Sequence, residues 1–383
     1  ATDAGGTYSA TPYSLDGNSS TFSPGERLAI KNLWQTTSED YSPFNLNVTT
    51  VAPASIVDGQ SLRMVATNSS PAIVGQSSGA LGVAYLGSYF NGSPTDNVGF
   101  LFHAQFDTFN GFGAGLNGKI MAGGLEEGDT VSHEFGHSLG LRHYNSQTGN
   151  FAGNADIIPN AILATPKTGL SRAIWASGNA DAGSGSTISQ DDVAVISSVG
   201  NTIGYRTDDY GDTAGSATTL ALSGASYSVN GIIQTIGDKD YFKFYASGST
   251  TISVDVDEYI NDLNTQLFLY SSDGVTQIGS SNPSSSYDAT ITQSLAAGYY
   301  YVQVASHGSY GEIGQYSLRI DLTDNPPSIT SNGGGASASI SIDENTTAVT
   351  TVTATDPDSA ASLTYSIVGG ADAAHFAIIP TRL

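Results

Sequence analysis

Residues 133–143 read His133-Glu134-Phe135-Gly136-His137-Ser138-Leu139-Gly140-Leu141-Arg142-His143. On a helix, His133 and His137 stand one turn apart on one face, so both imidazoles reach a single ion. Glu134 lies beside them, near the place a metal-coordinated water would take. A continuing helix would carry His143 about 15 Å along the axis from His133 and out of reach. Gly140 supplies the break, because a turn there swings the chain back and offers His143 as a third nitrogen ligand. Three ligands leave one corner of a tetrahedral zinc open, the arrangement of catalytic rather than structural sites. Zinc so held brings the pKa of water from about 15.7 toward ~7 and polarises a scissile carbonyl. Glu134 is then the general base, taking the water's proton and passing it to the leaving amine. The bland alternative, ordinary helix histidines, has to explain why three of the six histidines in the chain fall within this one stretch.

The rest of the composition narrows the function. With 35 acidic against 12 basic side chains the net charge is −23, which leaves no basic surface for phosphates and argues against nucleic acid or an anionic membrane as partner. There is no cysteine, so a cysteine nucleophile, a thiolate zinc site, a disulfide framework and cysteine-based latency are all excluded. No stretch has the 18 or so apolar residues of a membrane span. Charged residues make up only 12%, well below the usual ~25%; a surface of Ser, Thr, Asn, Gly and Asp suits a secreted, extracellular or cell-surface protein. The chain opens at Ala1 without a charged-then-apolar leader, as expected of a mature or excised piece.

The 383 residues predict two to three domains, and the charge divides them. Residues 1–207 carry 16 acidic and 8 basic side chains, residues 208–323 carry 13 and 3, and residues 324–383 carry 6 and 1. Only the first segment reads as mixed α and β. Ser23, Pro24 and Glu26 form a helix-start signature, which predicts a helix over 24–40. Short apolar runs at 46–50, 62–66, 82–86 and 98–102 read as strands, and a second helix is expected over 129–139, stopped by Gly140. Glu126, Glu127 and Asp129 then fall near its start, where they complement the helix dipole. From residue 208 helical periodicity gives way to alternating runs at 226–233, 241–245, 251–255, 265–270, 286–292, 299–305 and 315–320, the pattern of a β-sandwich. Three further strands, at 339–343, 348–355 and 363–367, are too few to close a sandwich, so the chain is expected to stop inside a third domain. The fold class is therefore multidomain: an α+β domain at 1–207, an all-β sandwich at 208–323 and a partial all-β module at 324–383.

His133, Glu134, His137, Gly140 and His143 resemble the extended zinc signature of the metzincin metalloendopeptidases. The resemblance implies zinc held by His133, His137 and His143, with Glu134 as the catalytic base and a protein or peptide as substrate. It also implies an edge strand that binds the substrate backbone, at 82–86 or 98–102. Metzincins place a methionine in a turn beneath the metal, but Met64 and Met121 both precede the third histidine. The best equivalent is Asn160-Ala161-Ile162-Leu163-Ala164, with Leu163 in the methionine's place and of similar volume. Trp34-Gln35 and residues 39–50 are similar to secreted bacterial relatives that carry a β-sandwich tail. Asp238-Lys239-Asp240-Tyr241-Phe242, Leu267-Phe268-Leu269-Tyr270 and Gly298-Tyr299-Tyr300-Tyr301-Val302 resemble the pre-peptidase C-terminal domain of secreted bacterial proteases. Asp343-Glu344-Asn345 and Asp356-Pro357-Asp358 are similar to the first half of a cadherin-like repeat, in which Glu344, Asn345, Asp356 and Asp358 would be calcium ligands.

Other chemistry-bearing residues have simpler readings. Tyr144 is a packing residue rather than an extra zinc ligand. His103, near Asp107, reads as a strand-end histidine bonded to its surroundings, and His307 as a solvated loop residue. The pairs Asp191-Asp192 and Asp208-Asp209 read as helix caps or linkers. Tyr299–Tyr301 and Tyr310 are core or surface tyrosines, with contact to an insoluble polymer or cell surface as the alternative. The primary expectation is a secreted zinc endopeptidase. Two alternatives stay open: a non-catalytic surface or adhesion protein retaining a protease-like zinc fold, and a zinc hydrolase acting on a non-peptide amide.

Overall fold

The structure, a computed structural model, describes residues 2–3, 6–77, 79–109, 116–144, 160–162, 173–183, 186–198, 202–256, 262–323, 327–335, 337–356 and 363–379. Helix α1 (Pro24–Asp40) begins where the capping signature places it, with Glu26 N–H donating to the Ser23 hydroxyl and Ser23 N–H donating to Glu26 Oε2. Glu26 also accepts bonds from the Ser14 hydroxyl and Leu15 N–H. Burial alone would raise its carboxyl, but these bonds outweigh that and hold it at about 2.

Three strands stand against the helices: β1 (Arg63–Thr67), β2 (Gly82–Val83) and β3 (Val98–Phe102), in the order β1-β3-β2. β1 runs parallel to β3 and β2 antiparallel, so 82–83 lies at a sheet edge and 98–102 at the centre. The strand expected over 46–50 does not form. Its backbone groups are taken elsewhere: Leu46 N–H turns back to Phe44 O, Arg206 donates to Leu46 O, and the Trp34 indole donates to Val48 O.

Helix α2 (Leu116–Ser138) ends as expected but starts thirteen residues before the predicted position 129. Gly118, Gly123, Gly124 and Gly128 give that stretch a low intrinsic helix propensity. At Gly128 the reason for glycine is contact, since a Cβ there would lie 2.5 Å from Thr36 Cβ on α1. The Thr37 hydroxyl donates to Gly128 O at 3.2 Å and the Tyr41 hydroxyl to Ser132 O at 2.9 Å, fastening the two helices. The early start also corrects the role of the acidic residues. Glu127 is mid-helix and fully buried, and its carboxylate takes the His103 Nδ1 rather than complementing a helix terminus.

Beyond α2 a hairpin that the sequence reading missed, β4 (Ser177–Gly183) and β5 (Ser186–Asp191), leads into a short helix α3 (Asp192–Ile196). Asp191 caps α3 by accepting Ala194 N–H at 2.8 Å. Tyr41, Phe44, Trp175, Leu139, Leu141 and Ile196 share one buried cluster, and the Trp175 indole donates to Asp40 O at 2.7 Å.

The following region is largely β. Strands β6 (Ser226–Ile233), β7 (Lys239–Asp255), β8 (Thr265–Tyr270), β9 (Gln277–Ser281), β10 (Ala289–Ser306) and β11 (Gly314–Leu322) lie in the order β6-β11-β7-β10-β8-β9. Two pairs of expected strands are each one long strand: 241–245 and 251–255 are both in β7, and 286–292 and 299–305 largely share β10. A register shift between Ala246 and Gly248 bends the ladder instead of ending it. Burial falls on even-numbered residues of β7 on both sides of that irregularity, because the extra residue lies in the partner strand β10, so Phe242, Phe244, Ile252 and Val254 all enter one core with Leu267 and Val302.

This β region is fastened to the preceding one. Glu39 on α1 accepts Asp262 N–H at 3.0 Å and Gln315 N–H at 3.2 Å. The Tyr310 hydroxyl meets Asp191 Oδ1 and accepts Val193 N–H at 3.0 Å. Gly311 comes so near Trp175 that a Cβ would fall 2.1 Å from its carbonyl oxygen, and Ile313 joins the Trp175 cluster.

From residue 327 on, the described residues pair only at Ser328–Ile329 with Ala354–Thr355. The strands expected over 339–343, 363–367 and most of 348–355 are absent among them, and Ile340, Ile342 and Val352 are exposed. A β-prone run becomes a strand only when a neighbour accepts its backbone bonds. No described helix is long and apolar enough to cross a membrane.

Candidate metal centre

The C-terminal end of α2 builds the site. Gly140 has φ +103°, a conformation that side chains disfavour. Around it Leu141 N–H bonds to Gly136 O and Gly140 N–H to His137 O, both at 2.9 Å. This is the paired closure of a Schellman motif, which satisfies the last helical carbonyls while reversing the chain. The reversal brings His143 back to the helix: His143 Nε2 lies 2.9 Å from His133 Nε2 and 3.1 Å from His137 Nε2.

The other ring nitrogens fix the chemistry of two of these rings. His133 Nδ1 donates to Ile162 O at 2.8 Å and His137 Nδ1 to Leu141 O at 2.7 Å. A carbonyl can only accept, so each Nδ1 carries the proton and each Nε2 presents a lone pair. Burial pushes His133 well below its ordinary range and His137 down to about 4, and lowers His143 as well. Neutral imidazoles whose lone pairs converge repel one another unless a cation lies between them. Zinc–nitrogen bonds of about 2.0–2.1 Å in tetrahedral geometry separate nitrogens by about 3.3 Å, close to what these rings adopt. The residues therefore fit zinc.

Glu134 is buried and held from the sheet side, where its carboxylate accepts Ala84 N–H just beyond β2. A Cβ on Gly82 would fall 2.6 Å from Glu134 Oε1, so the glycine lets the strand lie directly on the carboxylate. Burial pushes this carboxyl up to about 8, against the lowering effect of the Ala84 bond. On the opposite face of α2, Val131, Phe135 and Leu139 line a cavity of about 590 Å³ with Trp34 and Arg63. None of the three histidines lines it.

The remaining candidates separate. Leu163 lies outside the described residues, although Ile162 just before it supplies the carbonyl under His133. Tyr144 packs as expected: it is buried, with its hydroxyl 2.7 Å from both Ala176 O and Asp192 Oδ1. His103 is bonded to Glu127 as read. His307 is not solvated, since its Nδ1 sits 3.5 Å from Glu312 Oε2 and the ring is mostly buried. Tyr310 is engaged with Asp191 and is unavailable as a surface grip, whereas Tyr299 is exposed, with Lys243 Nζ 4.9 Å from its ring centre. Glu344 and Asn345 are exposed, Asp356 joins no converging acidic group among the described residues, and Asp358 lies outside them. Among the described residues the carboxylates that converge are Glu39-Asp40-Asp262 and Asp208-Asp238-Asp240, each a close pair joined by a third residue from far along the chain that spacing could not reveal.

One known family covers the stretch that bears the three histidines. Residues 25–144 match the family described as Metallo-peptidase family M12B Reprolysin-like. This segment resembles a reprolysin-like metallopeptidase domain. It takes in α1, the three-stranded sheet, α2 and all three histidines, and metallopeptidases of this family use zinc. No curated protein matches the chain. Among solved structures, the pre-peptidase C-terminal domain of a Bacillus anthracis collagenase aligns with 16% identity over 30% of this chain and 98% of that one, at a TM-score of 0.23. The Aeromonas hydrophila protein PliG, a periplasmic inhibitor of g-type lysozyme, aligns with 19% identity over 29% of this chain and 98% of its own, at a TM-score of 0.21. The Salmonella Typhimurium PliG gives 16%, 29%, 97% and 0.20 in the same order.

Proposed function

We propose that the chain is a secreted zinc endopeptidase, with His133, His137 and His143 as the metal ligands and Glu134 as the general base. The observation that carries this reading is the convergence of three Nε2 atoms, two of them on rings whose Nδ1 protons are committed to carbonyls. Zinc bound there would acidify a water molecule and polarise a peptide carbonyl. Glu134 would be the group that takes a proton from that water and returns it to the leaving nitrogen. Its burial favours the protonated form, and a cation held by the three histidines would oppose that preference and favour the carboxylate that a base requires. The edge strand β2 offers its free backbone to an extended peptide, the common way for a protease to align a chain before cutting it.

In this reading residues 1–207 form the catalytic domain and 208–323 a β-sandwich of the pre-peptidase C-terminal type. Residues 324–383 form a partial β module. The low content of charged residues fits an extracellular setting, and Tyr299 with Lys243 offers a contact for a cell surface or polymer.

The test is zinc content and cleavage of a denatured protein by the full chain, set against Glu134→Ala. Stoichiometric zinc with cleavage that the variant abolishes supports the proposal. Zinc without cleavage above the variant rejects it in favour of a non-catalytic surface protein, a reading motivated by Leu163 standing where methionine is expected.

A further inference from the structure

The three rings are not held alike. His133 and His137 are each pinned by a carbonyl on Nδ1, whereas the more exposed His143 has no such ring bond among the described residues. The backbone on either side therefore directs it, beside the Asp181 charge that faces the ring, and that backbone is clamped. The side-chain amide of Gln190, on β5, accepts Arg142 N–H and donates to Arg142 O, both at 2.9 Å. His143 O accepts Asp181 N–H from β4 at 2.8 Å. Tyr144, on the other side, is anchored through its hydroxyl to Asp192 Oδ1.

Asp192 ties these contacts together. Its Oδ1 also accepts from Gln190 Nε2 at 2.9 Å, and its Oδ2 accepts Ala176 N–H at 3.0 Å. Gln190 and Asp192 are both buried, so neither can exchange these partners for water without loss. The neighbouring turn is in turn gripped from the β region, where the Tyr310 hydroxyl bridges Asp191 Oδ1 and Val193 N–H. Gly311 lies against Trp175 O, one residue before the Ala176 to which Asp192 bonds.

We propose that Gln190 and Asp192 are positioning residues for the third histidine, and that Tyr310 of the β region completes their clamp, making that region part of the support of the metal centre. The inference rests on the zinc reading above. Partners of this kind, which fix a ligand without touching the metal, change metal affinity by about 10–100-fold when lost.

The test measures zinc affinity of the full chain by competition with a chromophoric chelator, and the visible spectrum of the cobalt-substituted protein as a report on ligand geometry. Gln190→Ala is expected to weaken zinc by about 10-fold or more and to alter the cobalt bands. Tyr310→Phe, which removes one oxygen and keeps the ring, is expected to weaken zinc by a smaller factor, on the order of threefold, as for the loss of one hydrogen bond. It keeps the proposal testable should Gln190→Ala fail to fold. Glu26→Ala serves as the control: it destabilises the chain far from the site and should leave zinc affinity unchanged. Wild-type affinity in Tyr310→Phe or in a folded Gln190→Ala overturns the proposal, as does an equal loss in the Glu26 control. His143→Ala separates the two levels, because undiminished zinc binding in that variant would instead defeat the metal-site reading itself.

Discussion

Replacing Gly140 with alanine is expected to loosen the metal centre through the backbone alone. No heavy atom lies within 4 Å of where its Cβ would stand, so there is no clash to relieve and the whole penalty comes from φ +103°. Holding an L-residue there costs roughly 1–3 kcal/mol. If the chain relaxes instead, it gives up the Leu141–Gly136 and Gly140–His137 bonds and the Leu141 carbonyl that orients His137. At a net ~1 kcal/mol for each bond the ceiling is again about 3 kcal/mol. By either route the melting temperature should fall by roughly 2–10 °C, and zinc affinity by about 10-fold as His143 loses its approach. Gly140→Asn should lose less, because asparagine tolerates positive φ better. Thermal melts with and without zinc, together with chelator competition, read both effects. An alanine variant with wild-type melting and wild-type zinc affinity would show that the bend does not place the third ligand.

Three further outcomes are expected. Gly82→Ala pushes a methyl into Glu134 Oε1; peptide cleavage should fall by about 100-fold, the usual cost of a 1 Å misplacement, while bound zinc stays stoichiometric, and loss of zinc would contradict this. Glu26→Ala removes half of the capping box and the bonds to Ser14 and Leu15, and should cost about 1–3 kcal/mol in thermal or denaturant unfolding; an unchanged midpoint argues that the box is dispensable. Burial pushes the Asp240 carboxyl up to about 8, a Tyr316 hydroxyl bond opposes this, and Asp238, Asp209 and Asp208 reinforce it. The folded state then holds a proton that the unfolded chain releases, so the group's contribution to stability is complete below about pH 4 and is lost as pH rises through about 8. Melting temperatures between pH 5 and 8.5 should show that slope in the wild type and a flatter one in Asp240→Asn; parallel slopes would exclude Asp240 as its source.

The centre was legible because its information is local. His133 and His137 are related by helical periodicity, and Gly140 announces the turn that returns His143. Ser23, Pro24 and Glu26 fixed the start of α1 for the same reason. What escaped the sequence depends on partners far along the chain. Helix α2 was cut short because its glycines read as breakers, although Gly128 is there to admit Thr36. Residues 46–50 have a strand's composition, but Trp34 and Arg206 claim their carbonyls. The breaks inside β7 and β10 looked like turns because a bulge and a turn draw on the same residues. Gln190 carries no signal at all, since an isolated glutamine becomes informative only once Arg142 stands opposite it.

The joint between the region that bears the histidines and the β sheet is written mainly in main-chain atoms on the sheet side. Glu39 reads the amides of Asp262 and Gln315, and Gly311 meets the Trp175 carbonyl without any side chain between them. Amides are the same whatever residue bears them. Homologous chains can therefore vary the residues at 262 and 315 widely and still dock in this way, so long as an acid at 39 and the glycine at 311 are kept. A search for such a pairing in divergent sequences should follow those two positions rather than the overall similarity of the surfaces.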